Sequence, residues 1–242
     1  MSVSPPDKLF EIIHEDDEFL IVNKPADLVC HPTKGDIYSS LISRVRLHLG
    51  ESIHPHLINR LDRETSGLVL VAKTDEAAKQ LRKQWESREV RKIYQAIVRG
   101  YVPDDEGLID APLGKDEQSI VAIKDCVRPD GAASQTAYKV LKRFTRAEGD
   151  FTLLQIELLT GRKHQIRIHL AHLGHPIVGD KIYGGDESLY LALVESRLTE
   201  EQRQRLILHC QALHAGEVRF QWNGEERIYH AEPELWFREF IV

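Results

Sequence analysis

The chain has 242 residues, 42% hydrophobic and 29% charged, with a formal net charge of −6, enough for a substantial core in one large domain or two small ones. No apolar run approaches the ~18 residues of a membrane span, and "MSVSPPDKLFEIIHEDDE" has no apolar signal core, so a cytoplasmic protein without a membrane partner is expected. Cys30, Cys126 and Cys210 are widely spaced and form no C-x-x-C, which argues against a disulfide frame and a cysteine-zinc site.

In chain order, "FEIIHEDDEFLIVNK" predicts two short strands around an acidic turn at Asp16 and Asp17. "YSSLISRVRLHLG" places Tyr38, Leu41, Ile42, Val45 and Leu49 on one helical face and stops at Gly50. "GLVLVAK" reads as a buried strand. The helix "TDEAAKQLRKQWESR" follows, capped by Thr74, with Asp75 and Glu76 in its first turn and Ala78, Leu81 and Trp85 facing inward. "RKIYQAIVRG" alternates as a strand, and "SQTAYKVLKRF" with "FTLLQIELL" predicts a strand pair. "HQIRIHLAHLG" has helical spacing and ends at Gly174. Residues 100–133, rich in Asp, Gly and Pro, fit either a linker between halves or loops and a hairpin beside a cleft. Neighbouring strands with occasional helices, rather than strict alternation, predict an α+β fold with a mixed sheet.

Charge is segregated along the chain. Residues 60–99 hold ten Lys/Arg against six Asp/Glu, and residues 161–185 hold four against one. The first 36 residues hold three against eight, and the last 57 six against eleven. Chance clustering is one reading of this pattern; the other is a basic cleft on an acidic body.

Three constellations carry candidate chemistry. In "INRLDRETSGLVLVAKT" (58–74), Asp62 lies between Arg60 and Arg63, in a turn that leads into a rigid strand. Both arginines favour its ionised form, although an Arg-x-Asp-Arg string taken alone is more often a surface ion cluster. In "LLTGRKHQIRIHLAHLGHPIVGDKIYGG" (158–185), Arg162, Lys163 and His164 open a helix, an arrangement suited to phosphate. Histidines 164, 169, 172 and 175 invite a metal reading, but only His169 and His172 share a face and no H-E-x-x-H accompanies them, so no metal is expected. Tyr94 in "RKIYQAIVRG" fits core packing, or an aromatic surface beside Arg91 and Lys92 of the kind that stacks on a base.

These segments, in this order, resemble the RluA-type RNA pseudouridine synthases. "NKPADLVCHP" (23–32) is similar to the family's N-K-P-x-G-hydrophobic-H-P segment, and "NRLDRETSGLVLVAKT" (59–74) to its H-R-L-D-x-x-T-S-G signature. "RKIYQAIVRG" (91–100) matches K-x-Y-x-A-x-V-x-G, "LLTGRKHQIRIHLAHLGHPIVGDKIYG" (158–184) matches T-G-R-x-H-Q-I-R-x-H, and "ALHA" (212–215) a later L-H-A motif. The resemblance covers about residues 8–222. Asn59 stands where the family usually has His, and Asp27 where it usually has Gly. The tail "NGEERIYHAEPELWF" departs from the usual family ending.

With no long flexible run, a single catalytic domain over residues 1–242 is expected, as one body or as two lobes around a cleft, and the resemblance implies a mixed, largely antiparallel sheet flanked by helices with a central catalytic cleft. It also implies the lack of the small N-terminal RNA-binding module that some members carry. The implied activity is isomerisation of a uridine in structured ribosomal or transfer RNA, without a cofactor. Asp62 corresponds to the essential family aspartate, which either adds to the base or helps the sugar carbon shed and recapture it. Both routes need an ionised carboxylate held still. Arg167 corresponds to the arginine that pairs with this carboxylate, and Tyr94 to a tyrosine stacked on the uracil and placed for proton transfer at its carbon 5. Ile166 is expected to pack against the base. Arg60, Arg63, Arg162, Lys163 and His164 are candidates for phosphate contacts that offset the unstacking of a flipped nucleotide. A catalytically silent RNA-binding protein of the same fold is the alternative, against which the joint retention of Asp62, Tyr94 and Arg167 speaks. A metal-dependent hydrolase using the histidines is a third reading.

Overall fold

The structure, a computed structural model, describes residues 10–32 and 38–242. In chain order these form β1 (Glu11–Glu15), β2 (Phe19–Lys24), α1 (Leu41–Leu49), β3 (His56–Leu57), β4 (Ser66–Ala72), α2 (Asp75–Glu86) and β5 (Arg91–Arg99). Then come β6 (Glu106–Asp110), β7 (Leu113–Lys115), β8 (Asp125–Val127), β9 (Gln135–Arg146), β10 (Gly149–Leu158) and α3 (Gln165–His172). The chain ends with α4 (Ser188–Val194), α5 (Glu200–Leu206), β11 (Leu213–Trp222), β12 (Glu225–His230) and α6 (Leu235–Phe240). By compactness it divides into two units. One comprises the described residues up to Lys92 with His214–Arg238, and the other Ile93–Leu213 with Glu239–Val242. Both are α+β.

The first unit is built on a mixed sheet in the order β1-β2-β4-β11, with β12 paired to β11. All seven residues of β4 are buried, as a strand covered on both faces requires, which is why "GLVLVA" is continuously apolar instead of alternating. β2 runs antiparallel along β4, while β11 meets β4 in parallel at two positions only, Ser66 opposite His214 and Gly67 opposite Ala215. At Gly67 the φ angle is +115° and a Cβ would stand 2.3 Å from the Ala215 carbonyl oxygen, so only glycine permits this approach. Thr74 caps α2 by accepting a hydrogen bond from the Ala77 N–H. The helix then lays Ala77, Ala78 and Leu81 against Phe19 and Ile21 of β2, Leu68 and Leu70 of β4, and Phe220 and Trp222 of β11. Each large apolar side chain buried there contributes about 1.5–3 kcal/mol.

The second unit has an antiparallel sheet in the order β5-β10-β9-β6 and a separate β7-β8 hairpin. Leu113 and Val121 from the hairpin region pack on Ile168 of α3 and on Ile182 and Tyr183 beyond it. Of the two readings of residues 100–133, the second describes what forms: a sheet strand, β6, and a hairpin, joined by loops. Helix α3 begins at Gln165 with His164 as its N-cap, and Arg162 and Lys163 lie in the turn that leads into it.

Candidate active site

The segment leading to Asp62 starts as strand. His56 and Leu57 of β3 pair with Ala72 and Val71, and the Ile58 N–H donates to the Leu70 carbonyl. At Asn59 the backbone leaves the ladder and the side chain takes its place. The Asn59 amide donates to the Leu68 carbonyl at 3.1 Å and accepts from the Leu70 N–H at 2.8 Å. Two backbone groups of β4, in the interval between β3 and β11, are thereby satisfied, and the chain is released into the Asp62 turn at a fixed point.

Three further contacts hold that turn. The Thr65 N–H donates to the Asp62 carbonyl at 3.2 Å, closing residues 62–65 on themselves. The Cys30 thiol lies 3.4 Å from both the N–H and the C=O of Leu61, a weak donor and acceptor on one residue. Lys24, wholly buried at the end of β2, donates to the carbonyls of Pro25 and Leu28 at 2.8 Å and of Arg63 at 3.1 Å, joining the turn after β2 to the turn that carries the carboxylate. A buried ammonium demands such oxygens, and the demand ties two loops together. Asp62 itself is half-buried, Arg60 and Arg63 exposed.

Arg63 turns its Nε to Asp27 at 2.7 Å. Asp27 adopts φ 65°, which costs an ordinary residue about 1–2 kcal/mol and aspartate less. Open to solvent at 57% and 61% exposure, the pair contributes roughly 0–1 kcal/mol in return. His31, partly shielded from water and facing the charges of Arg60 and Arg46, is held below the ordinary imidazole range. The loop is thus bordered by cations, Arg46 among them, a residue the sequence reading left unassigned.

In the second unit, Gln165 organises the T-G-R-K-H turn. Its Oε1 accepts from the Thr160 hydroxyl and the Arg162 N–H, and its Nε2 donates to the Gln135 carbonyl and the Thr136 hydroxyl. All four hydrogen-bonding positions of the amide are used. His164 follows in the left-handed region at φ 56°, its Nδ1 2.9 Å from the Tyr183 hydroxyl. Arg167 is 6% exposed; its Nε and Nη2 donate to Asp180 at 2.7 and 2.9 Å, and its guanidinium carbon lies 5.0 Å from the centre of the Tyr183 ring. Burial alone would raise the Asp180 carboxyl, but the Arg167 guanidinium and the N–H groups of Ile182 and Tyr183 outweigh it and hold the group below the ordinary carboxylate value. Burial pushes the Tyr183 phenol well above its usual range.

The remaining expected residues divide plainly. Tyr94, on β5 opposite Ile156, is 9% exposed, and Ile166 is 4% exposed. Lys163 pairs with Asp125 at 2.8 Å, and Arg162 is exposed. Both ring nitrogens of His169 are engaged, Nδ1 with the Thr136 hydroxyl and Nε2 with the Ala111 carbonyl. Among the described residues, no three His, Cys, Asp or Glu side chains gather in a way that could hold a metal ion. Arg60, Asp62 and Arg63 therefore share one loop of the first unit, and Tyr94, Arg162, Lys163, His164, Ile166 and Arg167 belong to the second. The sequence reading missed the supports: Lys24, Cys30 and Asn59 around Asp62, Asp180 and Tyr183 around Arg167, and Gln165 beneath the turn.

A family model described as RNA pseudouridylate synthase matches residues 18–172, a span holding the Asp62 turn, Tyr94 and Arg167. The chain belongs to that family. Its members are isomerases acting on RNA, and the relatives place it in the RluA-type branch. An uncharacterized RNA pseudouridine synthase of Chloroflexus aurantiacus is 45% identical over 167 residues, 67% of this chain and 51% of that protein. Ribosomal large subunit pseudouridine synthase D of Vibrio cholerae is 36% identical over 225 residues, 91% of this chain and 66% of that protein. The chain thus spans 51% and 66% of these two curated relatives. Among solved structures, human RNA pseudouridylate synthase domain containing 1 superposes with a TM-score of 0.75 at 26% identity, covering 95% of this chain and 86% of that one. The pseudouridine synthase architecture, with its mixed and largely antiparallel sheet strands and flanking helices, is the one expected from the sequence.

Proposed function

We propose that this chain converts a uridine within RNA to pseudouridine, with the Asp62 carboxylate acting on the target nucleotide. The observation that carries the reading is the support of the Asp62 turn. An amide, a thiol, a buried ammonium and a backbone bond all converge on residues 59–65. A surface ion cluster needs no such support, whereas a group that must meet one carbon atom of a flipped nucleotide does. Arg167 is its cationic partner in this reading, and the Asp180 carboxylate with the Tyr183 ring keeps that guanidinium in one plane. Tyr94 supplies the ring that stacks on the uracil and a hydroxyl for proton transfer at carbon 5. Ile166 packs against the base, and Arg60, Arg162, Lys163 and His164 meet phosphates around it.

The rearrangement exchanges an N-glycosidic for a C-glycosidic bond with the same base as leaving group and returning partner, so it is redox-neutral and needs no cofactor. Large-subunit ribosomal RNA is the favoured substrate, because several relatives are ribosomal large subunit pseudouridine synthases. The test is to incubate the purified protein with unmodified transcripts of large-subunit rRNA and of tRNA, then map pseudouridine by carbodiimide adducts that stop reverse transcription. A discrete new stop in the rRNA is expected. A stop only in tRNA would overturn the substrate assignment, and RNA binding without any stop would leave a silent binding protein.

A further inference from the structure

Asp27 is present at a position where neither packing nor the proposed chemistry calls for it. It sits in the turn after β2 at φ 65°, where glycine carries no strain and aspartate some. The turn is already held without its side chain: Lys24 donates to the carbonyls of Pro25 and Leu28, and the Ala26 N–H donates to Glu234 at 2.9 Å. Its carboxylate has solvent on most sides and meets the Arg63 Nε at 2.7 Å. An ion pair so open adds little stability, and the backbone strain works against even that. What the pair does change is the state of Arg63, the residue directly after Asp62. A guanidinium fork fits a phosphate as well as it fits a carboxylate, so the two anions compete for the same site.

We propose that Asp27 is a built-in phosphate mimic: it occupies Arg63 in the free protein and must be displaced by a phosphate of the incoming RNA. This inference rests on the reading of the Asp62 turn as an RNA-facing site and assigns Asp27 a part in setting RNA affinity. The competition lowers affinity for every RNA that reaches Arg63. The penalty is the same factor for each such RNA, and it hastens release of product. Asp27 touches no reacting atom; its effect passes through Arg63.

The experiment is equilibrium binding of a labelled 20-nucleotide oligouridine across a salt series, for wild type, Asp27→Asn, Asp27→Gly, Arg63→Gln and the Asp27→Asn/Arg63→Gln double variant. Asparagine tolerates the left-handed turn and glycine removes its strain, so both are expected to melt at or above the wild-type temperature. Each should bind about two- to five-fold more tightly, and the slope of log affinity against log salt should steepen by up to about one. Arg63→Gln should weaken binding, and in that background Asp27→Asn should change neither affinity nor slope. Unchanged binding in Asp27→Asn overturns the proposal. So does an equal gain in affinity with Arg63 absent, which would mark a general charge effect. Pseudouridine formation by the wild type is measured separately: binding effects without turnover would sink the catalytic reading alone, and turnover without binding effects would sink this one alone.

Discussion

Replacing Asn59 by alanine removes both bonds that bridge the interval on β4 and leaves the Leu68 carbonyl and Leu70 N–H without that partner. The expected cost is about 1–3 kcal/mol, measured as a shift of the urea unfolding midpoint. Turnover should fall further than stability requires, because the chain no longer leaves the ladder at a fixed point, while RNA affinity should hold. Unchanged stability would show that the amide is not the strut described here. At this scale the sequence showed which residues cluster but not what steadies them. Asp62 between two arginines is visible in the string "NRLDRE". That Lys24 reaches the Arg63 carbonyl and Cys30 the Leu61 peptide is not, because contacts between a side chain and a backbone some 30–40 residues away leave no periodicity to read.

At the scale of elements, the close approach of β4 and β11 is the most fragile feature. Gly67→Ala places a methyl group 2.3 Å from the Ala215 carbonyl oxygen and forces a side chain onto φ +115°. A loss of at least about 1–3 kcal/mol is expected, read from denaturant unfolding; a fully stable variant would mean that the two strands can part freely. Most elements through α3 were legible, because amphipathic spacing and capping residues such as Thr74 are local signals. The region after Gly185 went unassigned despite two usable cues. "TEEQ" at 199–202 forms a reciprocal capping box at the start of α5. Asn223-Gly224, both at positive φ (52° and 81°), is a tight hairpin turn between β11 and β12. The start of α3 at His164 was legible too; Gln165, which has no special standing in a sequence pattern, uses its whole amide to shape the turn before the helix.

At the scale of the whole molecule, two histidines tie stability to pH. His169 and His214 are buried, and burial pushes both below the ordinary imidazole value of 6.5. In each, Nε2 faces a backbone carbonyl, Ala111 and Ala231 respectively, which places a ring proton on Nε2, while burial disfavours the second proton. Well above pH 6.5 folded and unfolded chains bind equally few protons at these sites. As pH falls below that value the unfolded chain takes up protons the folded chain resists, at most about 1.4 kcal/mol per pH unit for each ring. Asp180, held below its ordinary value, loses its contribution only at more acid pH. The melting temperature should therefore be flat well above pH 7 and decline as pH falls through about 6.5 towards 5; a flat curve down to pH 5 would contradict the buried, neutral assignment. The charge segregation seen in the sequence belongs to this scale as well: Arg46, Arg60 and Arg63 border one loop of a chain whose net charge is −6.

In the proposed reaction one carboxylate performs the chemistry, on a turn that the residues around it hold in place. Asp62→Asn tests this most directly, measured as pseudouridine formed per enzyme on the rRNA transcript, alongside RNA affinity and melting temperature for the same preparation. Turnover should fall at least about a thousandfold, with affinity and melting temperature near wild type. Substantial turnover by that well-folded, RNA-binding variant would contradict the carboxylate's role.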